Sequence, residues 1–253
     1  MGLPVSLLVR GPEPTGDRVA AAVAKVYAEL RAVDATFSLY RPDSLLSRLS
    51  RGEQVGRPAE LLEVEQRCEQ ARLTTGGAFD ARRPDGVWDP SGFVKGWAAE
   101  RASRHLAELA DHDWCVNAGG DVQVASPSGE PFRVGIEDPA DRTRLLAVLE
   151  RIAGAVATSG TAARGEHLYD PATGRPADAL AAVTVVGPSL SEADVLATAA
   201  YVRGPGGLAL VEAADGYEAM LVGRHGEQRC TTGWARSLSP SRVTSQPPPP
   251  GAS

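Results

Sequence analysis

The sequence predicts an α+β fold, and three observations carry that prediction. Residues 17 to 35 place Val19, Val23, Val26, Leu30 and Val33 at steps of three and four, the stripe of a helix packed on one face. Short apolar runs bounded by Gly, Asn, Asp or Pro read as strands and cluster in the middle of the chain. The second half then repeats the mixture of strands and helix. Helices beside several short, antiparallel-looking strands favour α+β over a doubly wound parallel sheet.

Taken in order, Val5 to Val9 reads as a first strand, ended by Arg10, Gly11 and Pro12. The amphipathic helix over 17–35 follows. A second helix is predicted from about Ala59 to Leu73, with Leu61, Val64, Cys68 and Ala71 on one side, so Cys68 is a core residue. A third runs from about Lys95 to Ala110. Trp114–Val116 and Val122–Val124 are strands joined across an Asn-Ala-Gly-Gly turn, and Phe132–Ile136 is another. Val183–Val186 is a strand, 191–203 a helix opened by a Ser cap with acidic residues in its first turn, and 217–222 a strand. From Ser237 the run SLSPSRVTSQPPPPGAS has no apolar period, so 1–236 is expected to be the folded domain and 237–253 a disordered tail.

Composition narrows the functional classes. The 26 basic and 32 acidic residues leave a net charge of −6, which argues against a nucleic-acid surface and points to a small-molecule or protein partner. Cys68, Cys115 and Cys230 form no CxxC pair, so neither a zinc site nor a disulfide framework is indicated, and a reducing compartment fits. The run Val5–Val9 is too short for a signal-peptide core or a membrane span. The expectation is a cytoplasmic protein, or an extracytoplasmic one if the natural chain begins earlier.

Five segments could carry chemistry. In Phe37-Ser-Leu-Tyr40, Tyr40 is placed either to stack on a ligand ring or to fill the core. In Gly76-Gly-Ala78-Phe79-Asp80 the glycines would let backbone approach a ligand, with Asp80 as acceptor; the alternative is a plain loop. Asp89-Pro-Ser-Gly92-Phe-Val-Lys95-Gly96 holds one of only two lysines in a chain with 24 arginines. A compact point charge near a helix start suits a pyrophosphate, unless Lys95 is simply a solvated residue. Asn117-Ala-Gly-Gly-Asp121 reads as a hairpin turn and matches no dinucleotide fingerprint. In the second half, Ala157-Thr-Ser-Gly160 and His167-Leu-Tyr-Asp-Pro-Ala-Thr-Gly174 precede Glu192-Ala-Asp194-Val-Leu-Ala-Thr198. Asp194 and Thr198 stand one helical turn apart, about 5.4 Å, so a carboxylate and a hydroxyl can address one hard cation such as magnesium. Alternatively Thr198 bonds back to its helix while Asp194 complements the helix N-terminus.

Together and in this order, FSLYRPDSLLSRL, GGAFDARR, DPSGFVKGWAAERA, VNAGGDV, AVATSG, HLYDPATGRP and EADVLATA resemble the ApbE family of FAD:protein FMN transferases, from Met1 to about Thr232. The resemblance implies a fold of duplicated units, helices packed on mainly antiparallel sheets. It implies magnesium-dependent transfer of the FMN half of FAD to a Thr or Ser hydroxyl of an acceptor flavoprotein, releasing AMP. FAD would contact Tyr40, Ala78, Phe79, Asp80, Asp89 and Lys95. Magnesium would be held by the Gly92 carbonyl and the side chains of Asp194 and Thr198. Lys95 would neutralise the diphosphate and His167 would act as base on the incoming hydroxyl.

Many family members carry an acylated cysteine ahead of the domain, and none precedes Met1 in this sequence, so the expectation is an intracellular form unless the natural chain begins earlier. Further departures are an opening Met1 that can be processed away and the short stretch Thr161-Ala-Ala-Arg164 before His167. No segment resembles the family's acceptor motif, so the acceptor is expected to be another protein. Two further readings stand beside the transferase: a magnesium-dependent FAD pyrophosphatase yielding FMN and AMP, and a non-catalytic FAD-binding protein.

Overall fold

The computed structural model describes residues 2–160 and 168–238. The chain runs β1 (Val5–Arg10), α1 (Asp17–Phe37), α2 (Leu45–Ser50), α3 (Ala59–Thr74), α4 (Ser91–Ala107), β2 (Asp113–Ala118), β3 (Asp121–Ala125), β4 (Phe132–Asp138), β5 (Asp141–Arg151) and β6 (Ala153–Gly160). It continues through β7 (Leu180–Gly187), α5 (Leu190–Val202), α6 (Gly207–Glu212), β8 (Glu218–Gly223) and β9 (Gln228–Cys230), with short 3₁₀ turns at 204–206 and 234–237. This is the α+β class. Its two halves share one antiparallel sheet in the order β1-β2-β3-β6-β7-β8-β9, joined where β3 pairs with β6, and β4 and β5 form a separate two-stranded sheet.

The large sheet is covered on both faces, and the pleat sorts its side chains between them. Ala155 and Ala157 of β6, Val183 and Val185 of β7, and Ala219 and Leu221 of β8 face the helices. Their neighbours Val156, Ala182, Val186, Met220 and Val222 face the opposite way, into a smaller core closed by Phe132, Ile136, Leu149 and Trp234. Strands buried on both faces carry near-continuous apolar runs rather than alternation. On the helical side, α1 buries Val19, Ala22, Val26, Leu30, Val33 and Phe37, and α3 buries Leu61, Val64, Cys68 and Ala71. The α1 stripe thus runs through Ala22, while Val23 is only half-buried.

Several elements differ from the sequence reading. α4 opens at Ser91 and ends at Ala107, because Asp89 Oδ1 accepts the Ser91 N–H at 3.0 Å and the Pro90 carbonyl accepts from Phe93 and Val94. Lys95 therefore sits inside the helix rather than at its start. The cap of α5 is Ser189, whose hydroxyl accepts the Glu192 N–H, and Ser191 lies within the helix. α2, β5, β6, α6 and β9 were not expected as elements. Ser237 is buried in the last helical turn and Leu238 bridges Leu149, so ordered chain reaches Leu238; the rest of the expected tail lies outside the described residues.

Candidate active site

α4 from the first half and α5 from the second lie against each other, and their contact creates the site. Gly96 is the point of closest approach: a Cβ there would fall 2.9 Å from the Leu190 carbonyl oxygen and 3.0 Å from the Asp194 Cβ. The Gly96 N–H, whose α-helical acceptor would be the Gly92 carbonyl, donates to Asp194 Oδ2 at 3.1 Å. This bond ties α4 to α5 one turn after Gly92, whose carbonyl has a second lone pair beyond its helical bond.

Beside this contact is a cavity of about 170 Å³. Ala78, Phe79, Asp80, Asp89, Gly92, Lys95, Asp194 and Thr198 all line it, so residues spread over 120 positions of sequence converge on one space. Thr158, Ser159 and Gly160 at the end of β6 complete one wall, with Leu168 and Tyr169 at another. A larger neighbouring cavity of about 950 Å³, between α2, α3 and the 80–88 loop, shares Asp80 with it.

Lys95 is not a solvated residue. Its ammonium lies 2.6 Å from Asp121 Oδ2 and 3.1 Å from Asp194 Oδ1, and its side chain is only 17% exposed. Burial by itself would lower the ammonium, but the charges of Asp194 and Asp121 outweigh that and hold it above its ordinary value. The Asp194 carboxyl is pushed up to about 7, chiefly by complete burial, with Asp121 adding to the rise and Lys95 opposing it.

Asp121 entered the sequence reading only as the end of a hairpin-turn motif, with no site role assigned to it. It opens β3 directly after the Gly119-Gly120 turn, whose φ values of +65° and +103° suit glycine, and its Oδ1 accepts the Thr158 N–H at 3.1 Å. A carboxylate directly after the hairpin glycines was the available signal. Ser159 was likewise seen only as part of a motif. Its hydroxyl meets Thr198 Oγ1 at 3.0 Å across β6 and α5. Asp194 therefore reaches across to α4 and Thr198 to β6, and the alternative in which both serve their own helix does not describe this site.

Other expected residues divide. Asp80 and Asp89 face the cavity, but each uses Oδ1 locally, on the Arg82 and Ser91 amides. Gly76 and Gly77 close α3, where the Gly77 N–H donates to the Arg72 carbonyl, and neither glycine lines the smaller cavity. Tyr40 is 91% exposed, which excludes a core role, and it lines neither cavity. His167 lies outside the described residues.

Among the described residues no three His, Cys, Asp or Glu side chains converge on a metal position. The donor set at hand is one carboxylate, one hydroxyl and one carbonyl, all hard oxygen. That fits magnesium, which is held by one or two carboxylates and keeps waters and substrate phosphates as its other ligands. Among the described residues no helix is long and apolar enough to cross a membrane.

Comparison with known proteins agrees with this architecture. A family profile described as the ApbE family matches residues 1–84 and 81–221. The chain is 30% identical over 156 residues to the FAD:protein FMN transferase of Escherichia coli (strain K12), a match covering 57% of this chain and 44% of that protein, so it spans less than half of that relative's length. Among solved structures it superposes on the ApbE protein of Thermotoga maritima with a TM-score of 0.82 at 20% identity, covering 94% of this chain and 96% of that one. Against the flavin transferase ApbE of Vibrio cholerae the TM-score is 0.76 at 22% identity, over 93% and 100% of the two chains. At these identities the structural likeness is one of fold. With the family profile matching nearly the whole folded chain, this protein belongs to the ApbE family.

Proposed function

We propose that this chain transfers the FMN moiety of FAD to a Thr or Ser hydroxyl of an acceptor flavoprotein, releasing AMP, in a magnesium-dependent reaction. The observation that carries the reading is the meeting of Gly92, Lys95, Asp194 and Thr198 in one cavity, an ammonium beside hard-oxygen donors. The name of the Escherichia coli relative, FAD:protein FMN transferase, supports it. In this reaction the acceptor oxygen forms a bond to the phosphorus of the FMN half. The bridging P–O bond to the AMP phosphate breaks, and AMP leaves with the bonding pair.

The chain's residues divide this work. Lys95 supplies positive charge at the diphosphate, where neutralisation and positioning do most of the catalysis. Gly92, Asp194 and Thr198 would hold magnesium, which when bound neutralises phosphate charge. His167 is proposed to take the hydroxyl proton. The smaller cavity has room for the diphosphate but not for a whole dinucleotide, so the rest of FAD extends beyond it, past Asp80.

The test mixes protein, FAD, magnesium and a candidate flavoprotein fragment and looks by mass spectrometry for an added FMN. Lys95→Ala and Asp194→Ala should abolish AMP release, and His167→Ala should keep FAD binding while losing transfer. Undiminished turnover in these variants would remove the assigned roles. Rapid AMP release without acceptor would identify a pyrophosphatase, and FAD bound but unchanged under all conditions would identify a binding protein.

A further inference from the structure

The Lys95 ammonium stands between two buried carboxylates, and only one of them faces the cavity. Asp194 lines it; Asp121 does not. Asp121 is 1% exposed and anchored at the start of β3 by the Thr158 amide, yet its Oδ2 approaches Lys95 more closely, 2.6 Å against 3.1 Å from Asp194. With both carboxylates ionised, two carboxylates and one ammonium leave the cluster with a net charge of −1. Without Asp121 the remaining Lys95–Asp194 pair would be neutral and buried, and a cation at Asp194 would have to break it, which is strongly unfavourable.

We propose that Asp121 is a positioning residue: it takes up the Lys95 ammonium and so leaves Asp194 available to a divalent cation. The inference rests on the magnesium reading above. Lysine suits the arrangement because a compact ammonium on a flexible stem can shift between two carboxylates, whereas a planar guanidinium would bind one of them as a fork.

Asp121→Asn separates charge from structure, since an asparagine oxygen can still accept the Thr158 N–H. The full chain is titrated with Mn²⁺, a hard-oxygen substitute for magnesium, with free Mn²⁺ read by electron paramagnetic resonance and thermal unfolding recorded in parallel. Asp121→Asn should weaken Mn²⁺ binding by about tenfold or more, as losses of outer partners of metal ligands do. The double variant Asp121→Asn/Lys95→Met should bind more tightly than Asp121→Asn alone, because the competing ammonium is gone; a purely structural role for Asp121 would show no such recovery. Lys95→Met alone should bind at least as tightly as the wild type, a check that holds even if Asp121→Asn fails to fold.

Equal binding by wild type and Asp121→Asn, no recovery in the double variant, or weaker binding by Lys95→Met would each overturn the inference while leaving the metal assignment standing. No Mn²⁺ binding in the wild type, or binding indifferent to Asp194→Ala, would overturn the metal assignment and this inference together.

Discussion

Gly96→Ala adds one methyl group where α4 meets α5, and the outcome can be worked out from distances. The new Cβ would lie 2.9 Å from the Leu190 oxygen, 3.0 Å from the Asp194 Cβ and 3.1 Å from Asp194 Oδ2, so one helix must give way against backbone. Alanine is favoured over glycine inside a helix by about 1 kcal/mol. Against that stand about 1–3 kcal/mol for overpacking a filled core and about 1.5–3 kcal/mol if the Gly96 N–H to Asp194 bond is lost. With the bond lost, the net is a destabilisation of about 1.5–5 kcal/mol, or roughly 3–20 °C in Tm for a chain of this size. Gly206→Ala is the control: nothing lies within 4 Å of its Cβ position and its φ is −81°, so it should stay within about 0.5 kcal/mol of wild type. Thermal unfolding followed by circular dichroism measures both. A Gly96→Ala protein melting at or above the wild type would refute the claim that this glycine is required by helix approach.

Two further outcomes follow from buried ionisable groups. Burial, with the charges of Asp80 and Glu65 behind it, pushes the Cys68 thiol up to about 12, and burial pushes Cys115 up to about 11, while Cys230 is exposed. Iodoacetamide at pH 8 should therefore label Cys230 first, and labelling of Cys68 at a comparable rate in the folded protein would contradict this. Asp194 is raised from its ordinary 3.8 to about 7 when folded, so between those values the native state holds a proton that the unfolded chain has lost. In metal-free buffer the wild type should accordingly lose stability relative to Asp194→Asn as pH rises from about 4 to 7. A gap independent of pH, measured by denaturant titration, would argue against that burial.

Periodicity located the elements whose burial is one-sided. α1 and α3 bury a single stripe, so Val26, Leu30, Leu61 and Val64 could be read directly as core. It failed where burial is two-sided or the residues are small. β6 is Ala-Gly-Ala-Val-Ala-Thr-Ser-Gly, poor in strand-forming residues, and is a strand because β3 and β7 pair with it on either side. β5 is exposed along its first five residues and contributes only Leu149 as a fully buried anchor, so nothing in Asp141–Arg151 announces a strand without its partner β4.

The same division holds at the site. Sequence alone nominated Lys95, Asp194 and Thr198 as candidates, because a rare lysine and a carboxylate–hydroxyl pair one helical turn apart are local facts, but it left open whether Lys95 is solvated and whether the pair serves its own helix. It also placed them in a family, through seven short motifs in order. Only the tertiary structure could decide what each touches: that Lys95 is shared between Asp121 and Asp194, that Asp194 accepts from α4 rather than from its own helix, and that Thr198 meets Ser159. Those partners lie between 26 and 99 positions away in the chain, and no local pattern encodes a distance that depends on how closely two helices pack around a glycine.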